Sequence, residues 1–475
     1  MGLMDYLLSS NTALRLRSWL TDGGYFQGNG AEQNRLEQIM LLQEYSRGNQ
    51  RQALPVKLGK PNDNVTLNMV GKVVNKSVAM LFGGEIEFNI QDPANAVYLN
   101  EQWSRNRKPI FLHKLGRTGA ESGTVYIEVV KDGYGDGRHR LISLNPSMMR
   151  IDTDPEDVER VIRYVQAWAI QRDGKTVMRR RIVERARSED GEGGVKYTDD
   201  WTVELQENKG REWVLVEATA WPLPFPPILH GQNLPVDDSP YGESDIEDVI
   251  GLQDSVNYIA SNIKKIIRYH AHPKTIGKGF RSEEGKPQEV GADVMIYGIP
   301  VEGDVFNLEM QSDLSGTREY LNFLVQNIFS LSSTVDLSSL KDKLGQLTNF
   351  AVRVLYQDAS EKLAVKRDLY GEMLTEINRR LLALKGANYE ETDGGQVVWP
   401  EDVTPQNELE EAQAVRSDLE VGLVSKRTAS IQRGYDWDGD TENGGEGGEQ
   451  AAIMEDKASE DNVGAALLRA FNRGQ

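Results

Sequence analysis

The chain has 475 residues and a mass of 53.2 kDa, enough for two to four domains or for one elongated multi-part subunit. With 39% hydrophobic and 27% charged residues and no apolar run of about eighteen, it reads as a folded chain, neither wholly disordered nor membrane-spanning. Cysteine is absent, which removes disulfides, thiolate metal sites and cysteine nucleophiles, and a net charge of -19 (pI near 4.9) argues against a surface that grips duplex phosphates all round.

The start, MGLMDYLLSSNTALRL, lacks the charged head, apolar centre and cleavage site of a signal peptide, so the chain reads as one that stays in the cytoplasm where it is made. Residues 1–45 read as a helical arm, with Leu36, Ile39, Met40 and Leu42 to Tyr45 as its apolar face and the glycine-rich TDGGYFQGNG upstream. Between about 60 and 222 the texture becomes short mixed segments. TVYIEVV (124–130), GRHRLISL (137–144), VIRYVQAWAI (161–170), TVMRRRIVERA (176–186), DWTVELQE (200–207) and WVLVEATAW (213–221) alternate apolar and polar residues, which predicts an antiparallel β region attached to helices.

The prolines of WPLPFPPILHGQNLP predict an extended connector. A long helix follows, whose Val249, Leu252, Val256, Ile259, Ile263 and Ile266 recur at 3-4-3-4-3 spacing, the seam of a helix lying lengthwise on another. Ser244 reads as its N-cap with Glu247 three residues on, Asp245 and Asp248 at its positive end, and Lys264, Lys265 and Arg268 at its negative end. Such a helix spans about 26 residues, or roughly 39 Å. Residues 272–311 return to glycine, proline and short strands, and a second helix from Ser315 to about Ser332 carries Leu321, Leu324, Val325, Ile328 and Leu331. After the segment LSSTVDLSSLKDKLGQLTNF, a third helix runs from about Leu347 to Leu384, with Leu355, Leu363, Leu369, Met373, Ile377 and Leu381 among its apolar positions. A helix from about Gln406 to Val421 and one capped by Ser425 follow, and the acidic, glycine-rich tail DWDGDTENGGEGGEQ reads as disordered.

Catalytic signatures fail one by one. Gly174-Lys175-Thr176 ends like a phosphate-binding loop, but Ala169 stands where its first glycine belongs. Asp436, Asp438 and Asp440 begin like a calcium loop, yet Thr441 and Gly447 replace the turn glycine and the twelfth-position glutamate. Ser338 and Lys341 match SxxK by spacing alone. The histidines His113, His139, His230, His270 and His272 form no HExxH pattern, and Gly133, Gly135 and Gly137 read as a hairpin turn rather than a dinucleotide cradle. Acidic clusters such as Asp152, Asp154 and Asp157 have the ligand type to hold Mg²⁺ for phosphodiester cleavage, but loops on acidic proteins carry such runs routinely. No cofactor or metal is expected.

Two segments carry a resemblance: PFPPILHGQN followed by YGESDIEDVIGLQDSVNYIASNIKK, with its G-x-S turn and LQD-x-x-N core, and VVWPEDVTPQNELEEAQAVRSDLEVGLVSKRTA. With the order of parts around them, they resemble the portal proteins of tailed bacteriophages, the branch found in long-tailed phages, over roughly residues 30–435. The resemblance implies an α+β portal fold with long stem and wing helices, an antiparallel β wing region and a small α/β clip. Its parts would be an arm (1–45), a wing (46–243 with 347–386), stem helices (244–271 and 312–333), a clip (272–311), a tunnel loop (334–346), crown helices (387–434) and the acidic tail (435–475).

It further implies a homo-oligomeric ring, usually of twelve subunits, at one capsid vertex, through which double-stranded viral DNA is packaged and ejected. The partners would be the terminase large subunit, which carries the ATPase, a head-tail adaptor, and the major capsid and scaffold proteins. The expected location is the virion, with host cytoplasm during assembly. Val335, Leu337, Leu340, Lys341, Lys343 and Leu344 would be the DNA-contacting residues of the tunnel loop, because ring symmetry turns even one exposed lysine into a positive belt. On the plainer reading the leucines pack the loop against the stem and the lysines pair with Asp336 and Asp342. Two other functions remain open from sequence: a minor capsid or head-completion protein without a channel, and a metal-dependent nucleic-acid hydrolase.

Overall fold

The computed structural model describes residues 30–56, 59, 61–135, 137–189, 195–209, 212–271, 274–278, 304–308, 314–336, 349–400 and 408–432. The chain divides into two compact units, residues 1–339 with 356–403 and residues 340–355 with 404–475. Most of the arm, most of residues 279–313, the loop from Leu337 and the tail lie outside the described residues, as do Ser338, Lys341 and the calcium-like loop.

In the larger unit, helix α1 (Gly30–Ser46) buries Leu36, Met40, Leu42 and Tyr45, the face its spacing predicts. Three helices then occupy the stretch that reads from sequence as short mixed segments: α2 (Met69–Phe82), α3 (Pro93–Arg105) and α4 (Lys108–Ser122). Their start signals are local. Asn68 accepts a hydrogen bond from Gly71 N, Asp92 accepts one from Ala94 N, and prolines occupy the first turns of α3 and α4. Valines and glycines inside α2 and α4 obscure the pattern, since β-branched residues and glycine score poorly as helix formers. Tertiary burial outweighs that preference: Val70, Val73, Val74 and Val78 are all buried.

The β region is antiparallel as expected, in two larger sheets. One is ordered β3-β2-β9, from Arg140–Leu144, Thr124–Val130 and Ile228–Gln232; the other is the meander β4-β5-β6-β7-β8, from Met149–Asp154, Asp157–Arg172, Lys175–Glu189, Val195–Asn208 and Trp213–Trp221. The failed phosphate-loop ending is the tight turn of the β5–β6 hairpin. Arg172 pairs with Lys175, and Asp173 and Gly174 take φ of 52° and 72°, as a two-residue turn requires. A short pair joins β1 (Glu87–Asn89) to β12 (Gln396–Val398).

Helix α5 (Ile250–Ala271) leads into β10 (Lys274–Lys278), which pairs antiparallel with β11 (Asp304–Leu308) ahead of α6 (Ser315–Leu331). The long helix α7 (Asn349–Lys385) enters the larger unit at Tyr356. Its Tyr370, Leu374, Ile377 and Leu381 close a core with Trp103, Leu115, Val125 and Ile127.

In the smaller unit, α8 (Glu408–Val421) ends at Gly422, φ 76°, and α9 (Lys426–Gln432) begins beneath Ser425, whose Oγ accepts from Thr428 N at 3.2 Å. Those two roles account for the Gly and Ser of GLVSKRT.

Candidate functional site

The segment PYGESDIEDVIGLQDSVN gathers four elements of the larger unit around one corner. Gly242 N donates to Thr124 Oγ1 at 3.0 Å, Tyr241 OH bridges Ile151 N and O of β4, and Gly242 lies so close to Gly123 O that a Cβ would stand 2.5 Å from it. Glycine is obligatory where two backbones approach so closely.

Ser244 is not the cap of α5. Its Oγ donates to Ala120 O at 2.9 Å and accepts from Ile246 N at 3.2 Å; a 3-10 turn, Glu247–Val249, intervenes before α5 begins at Ile250. Serine here closes the end of α4, and the physical reason is that α4's last carbonyls are buried and need donors.

Asp245 is likewise no dipole partner. It is buried, and its carboxylate meets Lys366 Nζ at 2.5 Å, Lys362 Nζ at 3.0 Å, Ser77 Oγ at 2.6 Å and Asn233 Nδ2 at 3.3 Å. Burial alone would raise its pKa; Lys366, Lys362 and the hydrogen bonds from Lys366 and Ser77 outweigh that and hold it down at about 2. The carboxylate stays charged at every ordinary pH and joins the start of α5 to α2 and α7.

From this corner, α5 presents two working faces. The apolar one holds the seam expected from spacing. Val249, in the 3-10 turn, and Val256 are buried; Leu252 and Ile259 are partly buried, in a cluster with Leu324, Ile328 and Phe329 of α6; Ile263 and Ile266 are only half-buried. Leu331 of α6 is exposed at 61%.

The second face escaped the sequence reading. Gln253 accepts from Met69 N at 3.0 Å and Val70 N at 3.2 Å, and so caps α2 from another helix; its Nε2 donates to Leu67 O at 2.7 Å. Asn257 accepts from Leu67 N, Ser261 accepts from Val65 N, Lys264 donates to Asn62 O, and Arg268 grips both oxygens of Asp63. Asp254, at the edge of the polar face away from the apolar one, accepts from Tyr45 OH at 2.6 Å and pairs with Arg51. A polar stripe at 253, 257, 261, 264 and 268 has helical spacing and was there to be read, but its partner, the extended chain from Asn62 to Val70, has no periodic signature of its own.

Of the tunnel-loop residues named from sequence, only Val335 is described; Leu337, Leu340, Lys341, Lys343 and Leu344 lie outside the described residues. The root of that segment is tied on both sides. Lys76 Nζ donates to Val335 O, and Lys362 Nζ donates to Ser332 O at 3.0 Å.

The acidic run does not form a metal cage. Asp152 is paired with Arg150 and Arg163, and Asp154 with Arg160. Among the described residues no group of three or more histidines and carboxylates is placed to hold a metal ion, and no described helix is long and apolar enough to cross a membrane. A cleft of about 840 Å³ opens between α7, β9 and the Glu391–Gly394 turn. Its His230 bonds Tyr164 OH at 2.9 Å and is pushed down to about 4 by burial and then by Arg380, so it is neutral near pH 7. Glu376 is engaged by Arg380 and by Tyr389 OH, each at 2.7 Å. Within the cleft His230 and Glu376 are thus each held by neighbouring side chains.

A family model for phage portal proteins, SPP1 Gp6-like, matches residues 29–434. The chain belongs to that portal family. The match takes in the α5 corner, both faces of α5 and the Gly422–Ser425 pair. Among solved structures, the chain is similar to a chain in the virion of a native gene transfer agent particle (15% identity, TM-score 0.40) and to one in the neck of an empty particle of that kind computed with C6 symmetry (15%, 0.42); each covers 77% of this chain and 88% of that chain. No curated protein matches.

Proposed function

We propose that this portal-family chain is one subunit of a ring at a capsid vertex, a passive conduit for packaging and ejecting double-stranded viral DNA and a docking platform for terminase and the tail connector. Family membership across residues 29–434 is the observation that carries the reading. In it, residues 46–243 with the long helix α7 are the wing, α5 and α6 the stem, 272–311 the clip, 334–346 the tunnel loop and the helices after Pro405 the crown. Packing of α5 on α6, with β10 and β11 paired antiparallel between them in the chain, is consistent with a stem and clip.

Passive conduction also accords with chemistry. An acidic chain repels phosphate over most of its surface, and a few loop lysines repeated by symmetry provide transient contact without the salt-dependent affinity that would stall a moving duplex. ATP hydrolysis is then the work of the partner motor, and the purified chain should show no turnover.

Native mass spectrometry with negative-stain imaging tests the assembly. A ring near twelve times 53.2 kDa, with a hole wide enough for duplex DNA, is expected. Compact monomers or dimers persisting across concentration, salt and added scaffold protein would instead favour a head-completion protein without a channel.

A further inference from the structure

At its C-terminal end α6 reverses the chain. Ser333 N donates to Ser330 O at 3.0 Å and Thr334 N donates to Phe329 O at 2.8 Å, the double closure that terminates many helices. The residue in the left-handed position is Ser333, φ 51°, where glycine is the unstrained choice. A helix C-terminus also carries partial negative charge that cations stabilise, yet α6 has no basic residue in its last turn.

The cations come from other helices. Lys76 of α2 donates to Val335 O, and the ammonium groups of Lys72 and Lys76 lie 5.0 and 5.2 Å from the centroid of the Phe329 ring. Lys362 of α7 divides itself between Ser332 O and Asp245 Oδ1, each at 3.0 Å. Asp245 Oδ2 is already met by Lys366 and Ser77, so its charge is balanced without Lys362. Lys362 is the surplus cation of the cluster, with 18% of its side chain exposed against 3% for Lys366.

We infer that Lys76 and Lys362 form a two-point latch on the root of the segment that follows α6. They hold a strained chain reversal closed, and loss of either contact opens residues 332–336 while the surrounding fold stays intact. Each contact is a charge-assisted hydrogen bond to a backbone carbonyl at a partly exposed site, and local openings of this kind cost much less than global unfolding. Because Asp245 fixes where Lys362 can reach, a shift of the start of α5 against α7 is passed directly to that root. The latch goes beyond the conduit reading and stands whatever the loop touches.

Hydrogen exchange read by mass spectrometry on the full chain in its assembled form tests it, with one peptide covering Phe329–Asp336 and a control covering β2. Lys362→Met and Lys76→Met keep the aliphatic stems and remove the charges. Each is expected to speed exchange in Phe329–Asp336 by about tenfold and leave β2 unchanged. Adding Ser333→Gly to Lys362→Met, which relieves the left-handed strain, should restore part of the protection. No acceleration in either variant, or equal acceleration in β2, overturns the latch; acceleration in one variant alone overturns its two-point form. If Lys362→Met does not fold, Lys76→Met, which removes the contacts with Val335 O and the Phe329 ring and the attraction to the Asp336 carboxylate, decides the question.

Discussion

Lys366 Nζ lies 2.5 Å from Asp245 Oδ2, with 3% and 0% of the two side chains exposed. The pair sits where α2, the start of α5 and α7 meet, so each charge is tolerable only because the other is present. Asp245→Asn, which leaves Lys362 and Lys366 facing each other without a counter-ion, should cost about 3–5 kcal/mol in urea denaturation. Lys366→Met should cost less, because Lys362 still reaches Asp245 Oδ1 at 3.0 Å. Equal losses for the two variants would mean that Lys362 contributes nothing there.

The same carboxylate sets an acid dependence. Its pKa is held at about 2 against an ordinary 3.8, so the folded state binds the proton less readily than the unfolded chain. The resulting stability is fully present above about pH 4 and is lost as pH falls through about 2, amounting to roughly 2–3 kcal/mol. Denaturation curves between pH 2 and 4 should therefore be shallower in pH for Asp245→Asn than for the parent chain.

Gln253 is fully buried and serves three backbone groups of the α2 entry at once. Gln253→Ala leaves Val70 N without its acceptor and takes one partner each from Met69 N and Leu67 O, which keep their bond to each other at 2.9 Å, so stability should fall by about 1–3 kcal/mol. The loss should be larger than for Ser255→Ala, whose hydroxyl bonds only Gly251 O within its own helix. Thermal melts of the two variants side by side make the comparison.

Gly123 closes α4 at φ 77°, and a Cβ there would stand 2.2 Å from Gly242 O. Gly123→Ala combines left-handed strain with a backbone collision, and a loss of at least about 2 kcal/mol is expected. Gly135→Ala has the strain alone, with open space around the new methyl, and should stay near 1 kcal/mol.

On the conduit reading, Lys341→Ala with Lys343→Ala should weaken DNA retention in packaged particles while leaving ring assembly intact. Unchanged packaging and retention would remove the phosphate-contact role from those lysines.

Much of the element order was legible from period alone. The strand segments β2 and β8, the seam from Val249 to Ile259 and the cap at Ser425 are local patterns, and local patterns survive in sequence because the residues that make them are neighbours. The half-burial that alternation implies is not found in these two strands, since β2 is buried on both faces and β8 is exposed along most of its length. Helices α2, α3 and α4 were missed where valine and glycine masked the helical period, although Asp92-Pro93 announced one of them.

What only the tertiary structure decided is the work of the motif residues. Sequence placed Ser244 and Asp245 at a helix start because their neighbours permit it. The fold places Ser244 against the end of α4 and Asp245 against Lys366, 121 positions away in the chain. Gln253 and Asn257 were as visible as the leucines beside them, but their partners at 67–70 are held by chain reversals that no periodicity records. Composition and period mark most of the residues that turn inward, with Leu331 and Leu355 as exposed exceptions. Which polar groups meet there depends on chain topology, because a buried donor or acceptor is satisfied by whatever the fold brings within 3 Å or so.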